Sequence, residues 1–195
     1  MSDPAADGWP DESTRPLVTD PAEARDGHPN QQLLAQVHAH LRSELARIVE
    51  ALDELAASGA EGAGGVDQDQ IVGDVRAFLQ RLASRQDRFS LGAFCAAYCR
   101  TVATHHAIED HRMFPDMAAA EPARSPVIDR LQAEHLVIAG LLERLDLTLV
   151  AMVSAASGLE DLRAAAARLS RVLLSHLAYE EEQLLGPLGR LPMLV

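Results

Sequence analysis

The stretch QQLLAQVHAHLRSELARIVEALDELAAS, residues 31–58, decides the fold class. Leu34, Val37, Leu41, Leu45, Ile48, Leu52 and Leu55 recur three or four residues apart. That period lines one side of an α-helix and neither face of a strand. The run meets the glycine-rich SGAEGAGG at residues 58–65, which breaks it. A second helical stretch begins near Asp69 with Val75, Phe78, Leu79 and Leu82 and bends or pauses at SRQDRFS. It resumes from Leu91 through Tyr98 and Val102 to Met113, with Phe114-Pro115 marking an end or a kink. A third runs from Pro126 through Leu131, Ile138 and Leu145 to about Ala155, and a fourth from Leu159 through Leu169 and Leu173 to Gly186-Pro187.

Four long amphipathic helices with short links predict an all-α, antiparallel up-down four-helix bundle. Residues 1–28 lack any hydrophobic period and are rich in Pro, Asp, Glu, Gly and Ala. They are expected to be a flexible, disordered acidic tail, Trp9 included, ahead of a bundle spanning 29–195.

Composition narrows the function. Of 195 residues 48% are hydrophobic but only 4% aromatic, with Ala and Leu dominant, which favours helix over sheet. A net charge of −12 argues against nucleic acid and anionic membrane surfaces as partners, because both select clustered Lys and Arg. No run reaches the length of a membrane span and the first residues do not read as a targeting segment, so a cytoplasmic location is expected. Cys95 and Cys99, one helical turn apart, read as small core residues in a reducing compartment rather than as a thiol switch.

The histidines carry the chemistry. His38 lies four residues after Leu34 and three before Leu41, and His135 four after Leu131 and three before Ile138, so both share the apolar faces of their helices. HHAIEDHRMFP (105–115) and HLAYEEEQLLGP (176–187) each contain His-x-x-x-Glu, His105/Glu109 and His176/Glu180, which puts an imidazole and a carboxylate one turn apart on one face. A lone inward histidine is more often a hydrogen-bonded core residue than a ligand. Two buried carboxylates among four such histidines are different, since each uncompensated charge costs several kcal/mol or more. Cations held by all six groups would offset that cost. Imidazole and carboxylate without thiolate suit iron, manganese or zinc. Two carboxylates from different helices favour a bridged pair of ions over a single one. Helical phase favours His38 over His40; His106 is expected outside the ligand set or exposed, His111 solvated, Glu134 at the surface, and Tyr98 and Thr101 below His105.

The order H, HxxxE, H, HxxxE, carried by VHAHLRSEL, HHAIEDHRMFP, LQAEHLVIAGLL and SHLAYEEEQLLGP, resembles the hemerythrin-like, or HHE cation-binding, family over about residues 31–190. The resemblance implies a non-haem di-iron centre on His38, His105, Glu109, His135, His176 and Glu180, with the glutamates and a solvent-derived oxo or hydroxo group bridging. Manganese or zinc could replace the iron. Oxygen-carrying relatives have a further histidine where this chain has Ala139, so about two coordination positions stay open. Open positions favour reaction with a small oxidant (peroxide, O2 or NO), and a catalase-like activity is one outcome. The alternative is a non-catalytic iron or oxygen sensor, or a metal-stabilised interaction protein with a partner yet to be identified. Glu181 competes with Glu180 on spacing, and Glu180 is preferred because it mirrors Glu109.

Overall fold

The computed structural model describes residues 8–18, 27–61, 91–155 and 158–192. Among these there are helices and no strands. Helix α1 spans Pro29–Glu61 and α2 Leu91–Ile108. A π-helical turn at Glu109–Met113 leads from α2 into the short α3, Phe114–Ala120. Helix α4 spans Ser125–Ala155 and α5 Leu159–Leu188. The described residues therefore form an all-α helical bundle of four rods, α2 and α3 forming one of them. The helical stretch expected near Asp69 and the break at SRQDRFS lie outside the described residues. No described helix is long and apolar enough to cross a membrane.

The Phe114-Pro115 step does not end its rod, contrary to one reading of the sequence. Proline removes a backbone donor and crowds the carbonyl four residues earlier. The chain accommodates it by widening one turn: the Phe114 N–H bonds to the Glu109 carbonyl, five residues back. Across the α4–α5 connection, Gly158 takes φ +104°, a left-handed conformation that costs glycine little. Its carbonyl accepts from the Leu162 N–H at 2.9 Å and so starts α5.

The contacts divide the rods into two compact units. The first takes the described parts of Met1–Arg42, Val102–Gly140 and Arg171–Val195. Its core contains Leu34, Phe114, Met117, Leu131, Tyr179 and Leu188, all buried. In this unit Asn30 donates to the Leu188 carbonyl at 3.3 Å while His38, two turns on, meets Glu181 at 2.9 Å, so α1 and α5 run antiparallel. Likewise Arg124 donates to the Gln183 carbonyl at 2.5 Å and Glu134 meets His176 at 3.1 Å, which makes α4 and α5 antiparallel.

The second unit, the described parts of Ser43–Thr101 and Leu141–Ser170, buries Leu45, Ile48, Leu52, Tyr98, Leu145 and Leu169. Cys95 is buried and Cys99 half-buried, both unpaired in a disulfide; burial raises their thiols to about 12 and about 11, so both stay protonated. Thr101 differs from its expected inward position: it is exposed and its hydroxyl bonds to the Ala97 carbonyl.

Residues 8–18 depart from the expected flexible tail. Trp9 is only 8% exposed and Glu12–Thr14 form a 3-10 turn. The Tyr179 hydroxyl donates to the Pro16 carbonyl at 2.7 Å, and the Val18 N–H to the Gln183 side chain at 2.8 Å. The signal is invisible to a periodicity test because the segment docks through single polar contacts rather than an apolar stripe.

Leu131 is fully buried on α4, whereas Leu136, five residues on, is 77% exposed. Leu131→Ala is expected to lower the unfolding free energy by about 2–5 kcal/mol and Leu136→Ala by less than about 0.5 kcal/mol, measured by urea unfolding.

Candidate metal centre

The first unit brings together all six residues that the sequence singles out. His38 comes from α1, His105 from α2, Glu109 from the first residue of the π turn, His135 from α4, and His176 and Glu180 from α5. His38, Glu109, His135, His176 and Glu180 are buried and His105 half-buried. The two HxxxE pairs sit as their spacing requires. His105 Nε2 is 3.0 Å from Glu109 Oε1, and His176 Nε2 is 3.8 Å from Glu180 Oε2.

The carboxylates reach across to the other helices. Glu109 Oε2 lies 3.5 Å from His135 Nε2 while its Oε1 faces His105. Glu180 Oε2 is 3.5 Å from His38 Nε2 and also faces His176. Ligating atoms of His38, His105, Glu109 and Glu180 fall within 4.8 Å of one another, and so do those of His106, His135 and His176.

A layer of acidic groups surrounds the imidazoles. His38 Nδ1 meets Glu181 at 2.9 Å, His135 Nδ1 meets Asp110 at 3.0 Å, and His176 Nδ1 meets Glu134 at 3.1 Å. A carboxylate on Nδ1 keeps the proton there and turns a bare Nε2 inward. Glu181 thus occupies the outer side of His38 and Glu180 the interior. Glu134, expected at the surface, is fully buried. Burial alone would raise its carboxyl, but the bonds from His176, Arg15 and Arg130 hold it down to about 2. Burial also works to raise the Glu181 carboxyl, and His38 and Arg42 bring it down to about 2. Asp110 and Glu134 each neighbour a site residue in sequence, yet nothing in a helical period marks them, since each acts on a neighbouring helix.

The interior lacks positive charge. Burial raises the Glu109 carboxyl well above its ordinary value, and burial together with Glu109 raises Glu180 to about 8. Burial lowers His105 and His176, and burial with the neighbouring His176 and His105 lowers His135 to about 2, so these three imidazoles stay neutral. Both oxygens of Glu109 and of Glu180 lack any partner in hydrogen-bonding geometry. His135 Nε2 and His176 Nε2 approach to 3.1 Å although both protons are committed to the outer carboxylates. Bound cations would satisfy those two ring nitrogens and the four carboxylate oxygens together. The donor set fits metal ions.

Of the two expected placements for His106, outside the ligand set or exposed, the exposed one does not hold. The residue is buried, its Nε2 has no partner, and its ring stacks on His135 with centroids 3.9 Å apart and planes 9° apart. The near-parallel stacking offsets the His106 ring plane from that of His135. As the side chain stands, it walls the site beside His135, opposite in role to the exposed His40 and His111.

Interior acid groups oppose folding when no metal is present. Glu180 ionises at 4.5 in the ordinary case and at about 8 in the folded chain, so its contribution is favourable below 4.5 and is lost as pH rises through 8. In the metal-free chain, Glu109→Gln with Glu180→Gln is expected to raise the unfolding free energy at pH 8 by on the order of 1–3 kcal/mol. The gain should shrink towards pH 4.5, where wild type and variant are compared by urea unfolding; a gain that grows on acidification contradicts the assignment.

No curated relative and no solved structure matches the chain. A family model, the hemerythrin HHE cation binding domain, matches residues 30–188, which takes in every residue of the cluster. With the match running over most of its length and the donor set gathered inside it, the chain belongs to the hemerythrin HHE cation-binding domain family.

Proposed function

We propose that the cluster holds two iron ions and that the protein binds or reacts with a small oxidant (peroxide, O2 or NO) there. One observation carries this reading. The two oxygens of Glu109 address different imidazoles, Oε1 His105 at 3.0 Å and Oε2 His135 at 3.5 Å, as a carboxylate shared between two cations would. His38 and His105 would hold one ion, His135 and His176 the other, with Glu109 and Glu180 common to both. Iron in such a set supplies redox and Lewis-acid chemistry towards small oxygen and nitrogen oxides.

The chain's own residues do the rest. Asp110, Glu134 and Glu181 fix the ring orientations. Phe114, stacked on His135 at 5.5 Å, and the buried Leu131 and Leu34 exclude water and favour small, weakly polar ligands over charged metabolites. Four imidazoles and two shared carboxylates leave coordination positions for such a ligand. Residues 29–195 form the cation-binding unit, and a reducing cytoplasm suits cysteines that carry no disulfide.

Reconstitution of the metal-free chain with ferrous ion is expected to give two irons per chain, and air oxidation to produce near-ultraviolet charge-transfer bands that azide, peroxide or nitric oxide perturb. His105→Ala combined with His176→Ala should abolish loading. A stoichiometry of one, or a chain that takes up zinc but no iron, overturns the reading.

A further inference from the structure

The segment that precedes the family match reaches the metal centre. Arg15 presents its guanidinium to both oxygens of Glu134, Nε to Oε1 at 2.9 Å and Nη2 to Oε2 at 3.0 Å. Its Nη1 donates to the Ser175 hydroxyl at 2.9 Å, and Ser175 in turn donates to Glu12 at 2.7 Å. The Arg15 cation also lies over the Tyr179 ring, 4.7 Å from its centroid. Arg130, which donates to Glu134 Oε1 at 2.7 Å, also donates to the carbonyls of Pro10 and Asp11 at 3.0 and 2.8 Å. Glu134 thus binds His176 on one side and Arg15 and Arg130 on the other, with no exposure to water.

We propose that residues 9–18 are a clasp through which Arg15 acts as a positioning residue for the metal centre. The bidentate pair holds the Glu134 carboxylate square to His176 Nδ1, and so keeps the His176 Nε2 lone pair aimed inward. Two planar forks fix both distance and direction, which a single point charge does not. Groups that orient a ligating imidazole from behind contribute roughly 10–100-fold to metal affinity. Arg15 lies outside residues 30–188, so this control of the site is added to the family's matched segment from elsewhere in the chain. His38 provides an internal comparison, because its outer carboxylate, Glu181, is held by Arg42 of the same helix. The proposal rests on the reading of the cluster as a cation site.

The test uses the full chain with Arg15→Gln and Arg15→Lys. After ferrous loading, release to an excess of chelator is followed well below the melting temperature. Arg15→Gln is expected to release iron roughly 10-fold or more faster than wild type, and Arg15→Lys, which keeps charge but loses the fork, to fall between. In the metal-free chain the His176 Nδ1 proton resonance should move in Arg15→Gln while that of His38 stays in place. Release rates within twofold of wild type, or an unmoved His176 proton, overturn the clasp even if the melting temperature falls. A wild-type chain that takes up no iron overturns the cation reading and the clasp's role with it; iron uptake with unchanged release overturns the clasp alone.

Discussion

Glu109 and Glu180 lie among imidazoles in the interior, with no hydrogen-bond partner for any of their four oxygens. Every other feature of the first unit follows from that placement. The carboxylates need cations, and the histidines can offer those cations lone pairs only if their protons are drawn outward. Asp110, Glu134 and Glu181 draw them outward. The outer acids then need their own compensation, which Arg15, Arg130 and Arg42 provide. Acidic and basic groups thus alternate outward from the interior carboxylates.

Much of this was legible in the sequence because helices expose their inward faces as a period. Leu34, His38 and Leu41 share one stripe, and Leu131, His135 and Ile138 another, so the inward positions of His38 and His135 can be read from spacing. HxxxE is equally local, and both copies fold as their spacing requires. The outer groups were not legible. Glu134 lies beside His135 yet serves His176 on α5, and Asp110 lies beside Glu109 yet serves His135 on α4. Such pairings depend on how helices are set against one another, which a single-helix period does not encode. The burial of His106 is hidden from the sequence for a related reason: its ring stacks on one contributed by α4.

The N-terminal segment failed the same test in a different way. Low hydrophobicity, Pro and acidic residues are the usual marks of a solvated stretch. Arg15, Pro16 and Val18 instead dock singly, each against a different feature of α4 or α5, and Trp9 lies against the Arg15 guanidinium. A segment can be ordered by what it touches rather than by its own composition. Here the object touched is a buried acid that had no other reason to be noticed.

The π turn at Glu109–Met113 has a consequence for how this rod can vary. One extra residue in a turn offsets the helical phase, so the half that carries His105 and Glu109 and the half that carries Phe114 and Met117 are set independently. Deleting a single exposed residue there, such as Arg112, would let ordinary winding resume with Phe114 and Met117 close to their present phase, because the widened turn spends one extra residue over nearly the same rotation. The donors upstream would keep their aim. The widened turn works as a phase adjuster between chemistry and packing, so substitutions on either side can accumulate without forcing the other half to follow.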